Sequence, residues 1–390
     1  MKLQDRIPEL DGIRGVAIGM VLVWHYFVLP AATVPGSVLA YLQAACRMTW
    51  TGVDLFFVLS GFLIGGILLD TREFPGYFRR FYTRRFFRIV PMYLVWYAIT
   101  VAMLCLVKRG DVGEWVQSDR LPLWLFPAYL QNFWMMARDT LGGYSSGGTW
   151  SLAIEEQFYL TLPLLVWCCN RKWLIRLILA GVVAAPIFRL AIYFFLSGHR
   201  EGIFVLMPCR ADALLFGVFA AIMVREEKWR SWLMRGPKTA FVLVLLAFAL
   251  AMLAKLRVSQ TGLVMAGAGY SALAAGYALV ILMAVTRPCG RLAAALRWRW
   301  LRWLGTIAYG VYLLHFQILL GVHGLLFSRP PIHLSSLGEV LATLFALALT
   351  IVVCSASWIF LERPLVQIGH RYTTLVRPAN VVQVVGVARD

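Results

Sequence analysis

Negative charge is scarce in this sequence. Aspartate and glutamate number 19 in 390 residues, against 37 lysines and arginines, for a formal net charge of +18. Charged residues of both signs make up only 14% of the chain, well below the roughly 25% of an ordinary soluble domain. Cysteine is sparse as well, and it is not spaced for chemistry. The seven cysteines (46, 105, 168, 169, 209, 289 and 354) form no C-x-x-C pair. Most sit inside apolar runs, so they read as small buried hydrophobes, and neither a disulfide framework nor a zinc site is expected. No phosphate-binding glycine loop and no G-x-S-x-G elbow appears. There is no strong internal repeat, which removes the usual signature of an inverted-repeat transporter.

Apolar residues fill the space. They make up 61% of the chain, and the mean hydropathy is +0.74. That is an all-α, polytopic membrane composition. The net charge does not point to nucleic acid, because the basic residues cluster in short segments between apolar runs, as the positive-inside rule requires. Glu9, Asp11 and His25 argue against a cleaved signal peptide ending at Ala31-Ala32.

The hydrophobic runs predict about ten spans, near 13–33, 52–70, 89–107, 150–169, 174–196, 208–224, 239–255, 263–286, 304–326 and 338–360. Residues 34–51 and 137–149 read as outer loops. Residues 121–136 are apolar but short and contain Pro122, Pro127, Gln131 and Asn132, so they read as a re-entrant or interfacial segment. Under this count the basic segments at 71–88, 171–172, 225–238 and 287–303 all fall on one side, with both termini cytoplasmic. The domain reading is one transmembrane unit over 1–364 and a cytoplasmic tail over 365–390.

Ionisable residues inside apolar helices are costly, so each is a functional candidate. Arg14 and His25 lie eleven residues apart in the first span. On an ideal helix that returns to within roughly 20° of one face and rises about 16 Å. Asp54 opens the second span, either as a dipole-stabilising acid or as a functional group. Ser60-Gly61, half-way along, permits close helix approach. In the segment from Phe78 to Pro91, Arg79, Arg80, Arg84, Arg85 and Arg88 alternate with aromatic residues. Such a surface can bind phosphates and stack a purine, or it can anchor an interfacial helix to anionic lipid. Glu155 and Glu156 lie about one turn into a span, about 100° apart, which predicts different partners: one facing a cavity, the other pairing with a buried arginine. Arg210 and Asp212, two residues apart, each need a partner elsewhere. His315 lies deep in a span, and Glu362 precedes Arg363-Pro364 at an expected helix end.

Seven pieces of this chain, in order, resemble the acyltransferase 3 family of integral-membrane O-acyltransferases. They are Leu10-Asp-Gly-Ile-Arg14-Gly with His25; Gly52-Val-Asp-Leu-Phe-Phe-Val-Leu-Ser-Gly-Phe; Arg85-Phe-Phe-Arg88-Ile-Val-Pro91; Trp150-Ser-Leu-Ala-Ile-Glu-Glu-Gln-Phe-Tyr159; Arg210-Ala-Asp212; Tyr312-Leu-Leu-His315; and Glu362-Arg-Pro364. The resemblance implies transfer of an acyl group, usually acetyl, from cytoplasmic acyl-CoA as co-substrate to hydroxyls of cell-surface glycans or glycosylated metabolites, in a bacterial inner membrane. It matches Arg14 and His25 to the family's first-helix pair, and Arg85 and Arg88 to its cytoplasmic Arg-x-x-Arg. The length after Glu362 is too short for the extra extracytoplasmic hydrolase-like domain of some members. His25 then serves either as a general base on the acceptor hydroxyl or as a covalent acyl relay, with Glu155 or Glu156 orienting it or the acceptor. A proton-coupled transporter using the same His, Glu and Arg residues is the rival expectation.

Overall fold

The computed structural model describes residues 7–30, 38–106, 121–143, 146–235, 259–327 and 334–374. Among them there are helices and turns and no strand. Pro8 stands at the start of α1 (Pro8–Val23), where its missing N–H costs nothing, and Glu9 and Asp11 complement the positive end of the helix dipole. α1 runs without a break into a π-helical turn, Trp24–Val28, which holds His25. The expected outer loop over 34–51 is instead helical from α2 (Val38–Cys46) through a 3-10 segment (Arg47–Thr51), which leads directly into α3 (Gly52–Thr71).

Most of the basic segment 71–88 belongs to a single long helix, α4 (Tyr77–Leu106). Arginine is a good helix former, and the aromatic residues between the arginines give the helix packing surface. Pro91 lies inside α4, and beside it the Tyr309 hydroxyl donates to the Ile89 carbonyl at 2.9 Å. The segment 121–136 holds a 3-10 turn (Leu123–Leu125) followed by α5 (Gln131–Arg138). At eight residues α5 is roughly 12 Å long, too short to cross a bilayer.

The remaining helices are α6 (Trp150–Cys168), α7 (Arg171–Phe195), α8 (Met207–Arg225) after a one-turn helix (Gly202–Val205), and α9 (Glu227–Arg235). A π-turn (Met265–Gly269) opens α10 (Tyr270–Thr286), and α11 (Arg291–Leu296), α12 (Arg299–Thr306) and α13 (Ala308–Phe327) follow. α14 (Leu337–Ser357) starts with a Ser336–Glu339 capping box. It continues through a π-turn (Trp358–Glu362) into α15 (Arg363–Thr374). The start of the expected tail is therefore a helix, and it packs against the basic part of α4. Residues 375–390 lie outside the described residues.

Seven of the described helical stretches are long and apolar enough to cross a membrane: Ala40–Thr71, Tyr77–Cys105, Arg171–Phe195, Gly202–Arg225, Met265–Thr286, Ala308–Phe327 and Leu337–Thr373. α1 and α6 occupy two further expected spans but are not among the seven. Glu9, Asp11, Arg14 and His25 dilute the apolar content of one, and Glu155, Glu156 and Gln157 that of the other. The expected span over 239–255 lies outside the described residues.

α3 and α8 form the centre, with α1, α6, α7 and α10 packed against them. Two glycine crossings set the tightest spacings. A Cβ on Gly61 would collide with the Leu214 carbonyl, and one on Gly217 with the Val58 carbonyl, so α3 and α8 meet backbone to backbone. Gly12, Gly15 and Gly305 do the same for α1 against the α11–α12 segment. α7 and α14 turn Ile187, Phe188, Phe194, Leu341, Phe345 and Val352 outward, as helices bordering lipid do.

Candidate active site

α1, α3, α4, α6 and α13 enclose a cavity of about 120 Å³. Along α6 the lining residues Ser151, Glu155 and Tyr159 are spaced four apart, one helical stripe, with Leu152 and Glu156 on the neighbouring stripe. α4 contributes Arg85, Arg88 and Ile89, α3 contributes Phe56 and Ser60, and α13 contributes Tyr309 and Tyr312. α1 contributes Arg14, whose Nη1 donates to Asp11 Oδ1 at 2.8 Å. Three guanidinium groups and two carboxylates therefore share one enclosure.

Each acid and base has a defined setting. Glu155 lies beside the hydroxyls of Ser60 and Tyr159, which hydrogen-bond each other. The Arg85 guanidinium packs over the rings of Phe81 and Tyr159, 5.9 and 5.8 Å from their centroids. At the opposite end of the cavity, Tyr312 Oη donates to the Gly148 carbonyl at 2.9 Å and meets Ser151 Oγ at 2.5 Å.

One turn beyond Tyr312 on α13, roughly 4.5 Å along the axis, stands His315, 1% exposed. Its Nε2 lies 3.2 Å from Nδ1 of His25. The His25 ring also packs on Phe316, with centroids 4.4 Å apart. Two imidazoles from distant parts of the chain thus meet just past the Tyr312 end of the cavity. Such a cavity can hold an anionic ligand at its arginine end, and the imidazole pair stands beyond its Tyr312 end.

The acyltransferase-domain family model matches residues 7–359. The chain belongs to the acyltransferase 3 family. Among curated proteins it is 25% identical to a peptidoglycan O-acetyltransferase, OatA, of Listeria monocytogenes over 376 residues, covering 92% of this chain and 56% of that protein. It is 27% identical to a putative peptidoglycan O-acetyltransferase, YrhL, of Bacillus subtilis, covering 80% of this chain and 48% of the relative. A putative O-acetyltransferase of Staphylococcus aureus strain COL is 25% identical, with 98% and 61% covered. The chain thus spans about half to three-fifths of the length of the curated relatives it matches. No solved structure matches.

Of the residues singled out in this acyltransferase 3 sequence, the cavity gathers Arg14, Arg85, Arg88, Glu155 and Glu156. The two glutamates do not divide between a cavity and a buried arginine, because both line the same space. Arg14 lines the cavity, whereas His25, about 16 Å further along the same helix, lies past the Tyr312 end and is not among the described lining residues.

Asp54 sits away from the cavity and forms a buried ion pair with Arg210. Asp212 pairs with Arg189 at 2.9 Å, both fully buried, and Ser271 Oγ donates to the same carboxylate at 2.6 Å. Arg210 and Asp212 thus take separate partners, and the two pairs tie α3, α7, α8 and α10 together. Arg84 turns from the cavity to α15, where its Nε donates to Thr373 Oγ1 at 2.8 Å. Phe87 and Tyr372 stack beside this link, with centroids 6.1 Å apart and planes 8° off parallel. Glu362 is buried in the π-turn between α14 and α15, where Ser357 Oγ donates to it at 3.3 Å. The helix does not end there.

Tyr159, Ser60, Tyr309, Tyr312 and Ser151 were not picked out as site residues, although most of them stand within the motifs quoted. The four-residue spacing from Ser151 through Glu155 to Tyr159 was the available signal. Arg189, a lone charge in an apolar run, was equally visible and calls for a buried partner. Among the described residues, no group of three or more His, Cys, Asp or Glu side chains could hold a metal ion.

Proposed function

We propose that this chain is a membrane O-acyltransferase that moves an acyl group, acetyl first among them, from cytoplasmic acyl-CoA to a hydroxyl of a cell-surface glycan. Peptidoglycan heads the acceptor class, since relatives from Listeria and Bacillus are named for it. In this reading about ten helices cross a bacterial inner membrane with both termini inside, the seven apolar stretches, α1 and α6 among them. One observation carries the proposal. A single cavity joins Arg14, Arg85 and Arg88 to Glu155 and Glu156, and at Tyr312 it comes within a turn of the paired imidazoles.

Arg85 and Arg88 take the phosphates of CoA at the cytoplasmic end, where guanidinium forks give strong charge-assisted hydrogen bonds. The thioester arm follows the cavity toward Tyr312. Glu155 and Glu156 offset the arginine charge in the enclosed space and orient the reacting groups. His25 removes the proton from the acceptor hydroxyl. The oxygen attacks the thioester carbonyl, the new C–O bond forms, the C–S bond breaks, and the thiolate recovers the proton as free CoA. The test is labelled acetyl-CoA added to the cytoplasmic face of inverted membrane vesicles, with wild type beside an equally expressed and folded His25→Ala protein. Label should enter the glycan fraction with wild type only. Full labelling with the variant would remove His25 from the chemistry.

A further inference from the structure

The hydrogen bonds around the two imidazoles assign their protons. His315 Nδ1 faces two carbonyl oxygens, Val311 at 3.0 Å and Tyr312 at 2.8 Å. Carbonyls only accept, so Nδ1 carries a hydrogen and donates it. In the neutral ring Nε2 is then a bare acceptor. That acceptor lies 3.2 Å from His25 Nδ1. Two bare nitrogens at that distance would repel, so His25 Nδ1 must carry the hydrogen between them. His25 Nε2 is left as the nitrogen with a free lone pair.

We propose that His315 is a positioning residue that holds His25 in its Nδ1–H form, so that Nε2 of His25 is the atom that takes the acceptor's proton. This rests on the reading of His25 as the base. The chain of acceptors runs in one direction, from His25 to His315 to the α13 backbone. When Nε2 gains a proton, the imidazolium still donates through Nδ1 to His315, which keeps the ring in place and spreads its charge. A histidine here fills the orienting role that a carboxylate fills in a serine-hydrolase triad, without adding a negative charge to an apolar helix pair. Tyr26 steadies the same turn, since its hydroxyl donates to the His315 carbonyl at 2.9 Å and meets Thr350 Oγ1 at 2.8 Å.

Solid-state nitrogen-15 NMR on histidine-labelled protein in membranes tests the assignment without any acyl donor or acceptor. The chain has six histidines, so the His25 signals are taken from the difference between wild type and His25→Ala. The expected result is a neutral ring with a protonated Nδ1 and a bare Nε2. A ring protonated at Nε2 alone overturns the proposal. A second arm is kinetic. His315→Ala should lower kcat by about tenfold to 10²-fold, less than the 10²–10⁴-fold loss expected on removing the base itself, with KM for acetyl-CoA unchanged. His315→Gln, whose amide oxygen can accept from His25 Nδ1, should recover part of that loss. Equal loss in both variants, with His25 still protonated at Nδ1, would make His315 a packing residue. If His25→Ala transfers label at the wild-type rate, the base reading fails, whatever the tautomer.

Discussion

Replacing Asp54 by leucine leaves the Arg210 guanidinium buried without its counter-charge. The pair lies at the crossing of α3 and α8, with side chains 1% and 0% exposed. Arg210 sits 3.7 Å from the centre of the Tyr270 ring and 5.4 to 5.8 Å from those of Phe204, Phe57 and Trp150. Its Nε and Nη1, and Asp54 Oδ2, have no hydrogen-bond partner among the described residues. The carboxylate therefore supplies the one ionic link, and the rings supply the rest. Breaking a buried pair from one side costs about 3–5 kcal/mol. The rings keep part of their attraction for the cation, at about 0.5–2 kcal/mol per favourable contact, so a value near the lower end, about 3 kcal/mol, is expected. Replacing both partners with apolar residues, Asp54→Leu with Arg210→Met, removes the stranded charge, and such exchanges are often close to neutral. The double variant should therefore lie more than about 2 kcal/mol above Asp54→Leu alone, a coupling characteristic of groups in direct contact. Unfolding by SDS in mixed micelles measures Asp54→Leu, Arg210→Met and the double variant. Acyl transfer measured on the same preparations should follow stability, low in the single variant and substantially restored in the double. Single costs that add to within about 0.5 kcal/mol would refute the idea of a structural pin. A stable double variant without activity would return Asp54 to the chemistry.

The other predictions concern the cavity and its frame. Arg85→Lys and Arg88→Lys should each raise KM for acetyl-CoA by about 10- to 100-fold, the worth of 1.5–3 kcal/mol for a hydrogen bond to a charged group, with kcat little changed in vesicle kinetics. Gly15→Ala should cost about 1–3 kcal/mol as an overpacked contact, because its Cβ meets the Leu301 carbonyl. Since Arg14 is the next residue, its activity should fall further than that of an equally destabilised variant far from the cavity. In the loop before α8, burial first and then neighbouring Asp139 push the Glu201 carboxyl up to about 7. Its contribution to stability is thus complete below the ordinary carboxylate range and is lost as pH rises through about 7. Glu201→Gln should match wild type at pH 4 and be the more stable protein at pH 8; equal pH dependence of the two in unfolding titrations would rule this out.

The sequence carried the class of this fold in its composition and most of the helix positions in its apolar runs, because a span must hide its backbone from lipid whatever its neighbours are. What it could not carry was any feature set by contact. Glu155 and Glu156 read as a divided pair because an isolated helix puts them about 100° apart. The cavity is wide enough for adjacent stripes of α6 to face it together. Arg14 and His25 read as one wall from periodicity alone, and which of the two lines the cavity depends on where the neighbouring helices close it. Arg84, Arg85 and Arg88 look alike in a string, yet α15 claims the first and the cavity holds the other two. Arg210 was legible as a charge needing a partner elsewhere, and Asp54 as a helix-opening acid or a functional group, while their mutual pairing across 156 positions is a property of the packed bundle.

That sorting has a physical consequence for function. Two groups of charged residues inside this bundle differ in kind. One, Asp54–Arg210 with Asp212–Arg189, is closed: each cation has its own carboxylate, and the groups are almost fully hidden from solvent. The other is open: Arg85 and Arg88 meet Glu155 and Glu156 across a cavity that Arg14, itself paired with Asp11, also lines. The closed system fixes helices and faces no cavity among the described residues. The open one presents the guanidinium groups of Arg85 and Arg88 to a cavity, where anionic groups of a ligand would be attracted more strongly than in water. The ion pairs that tie α3, α7, α8 and α10 together are thus separate from the groups that line the cavity, and Asp54 belongs to the pairs.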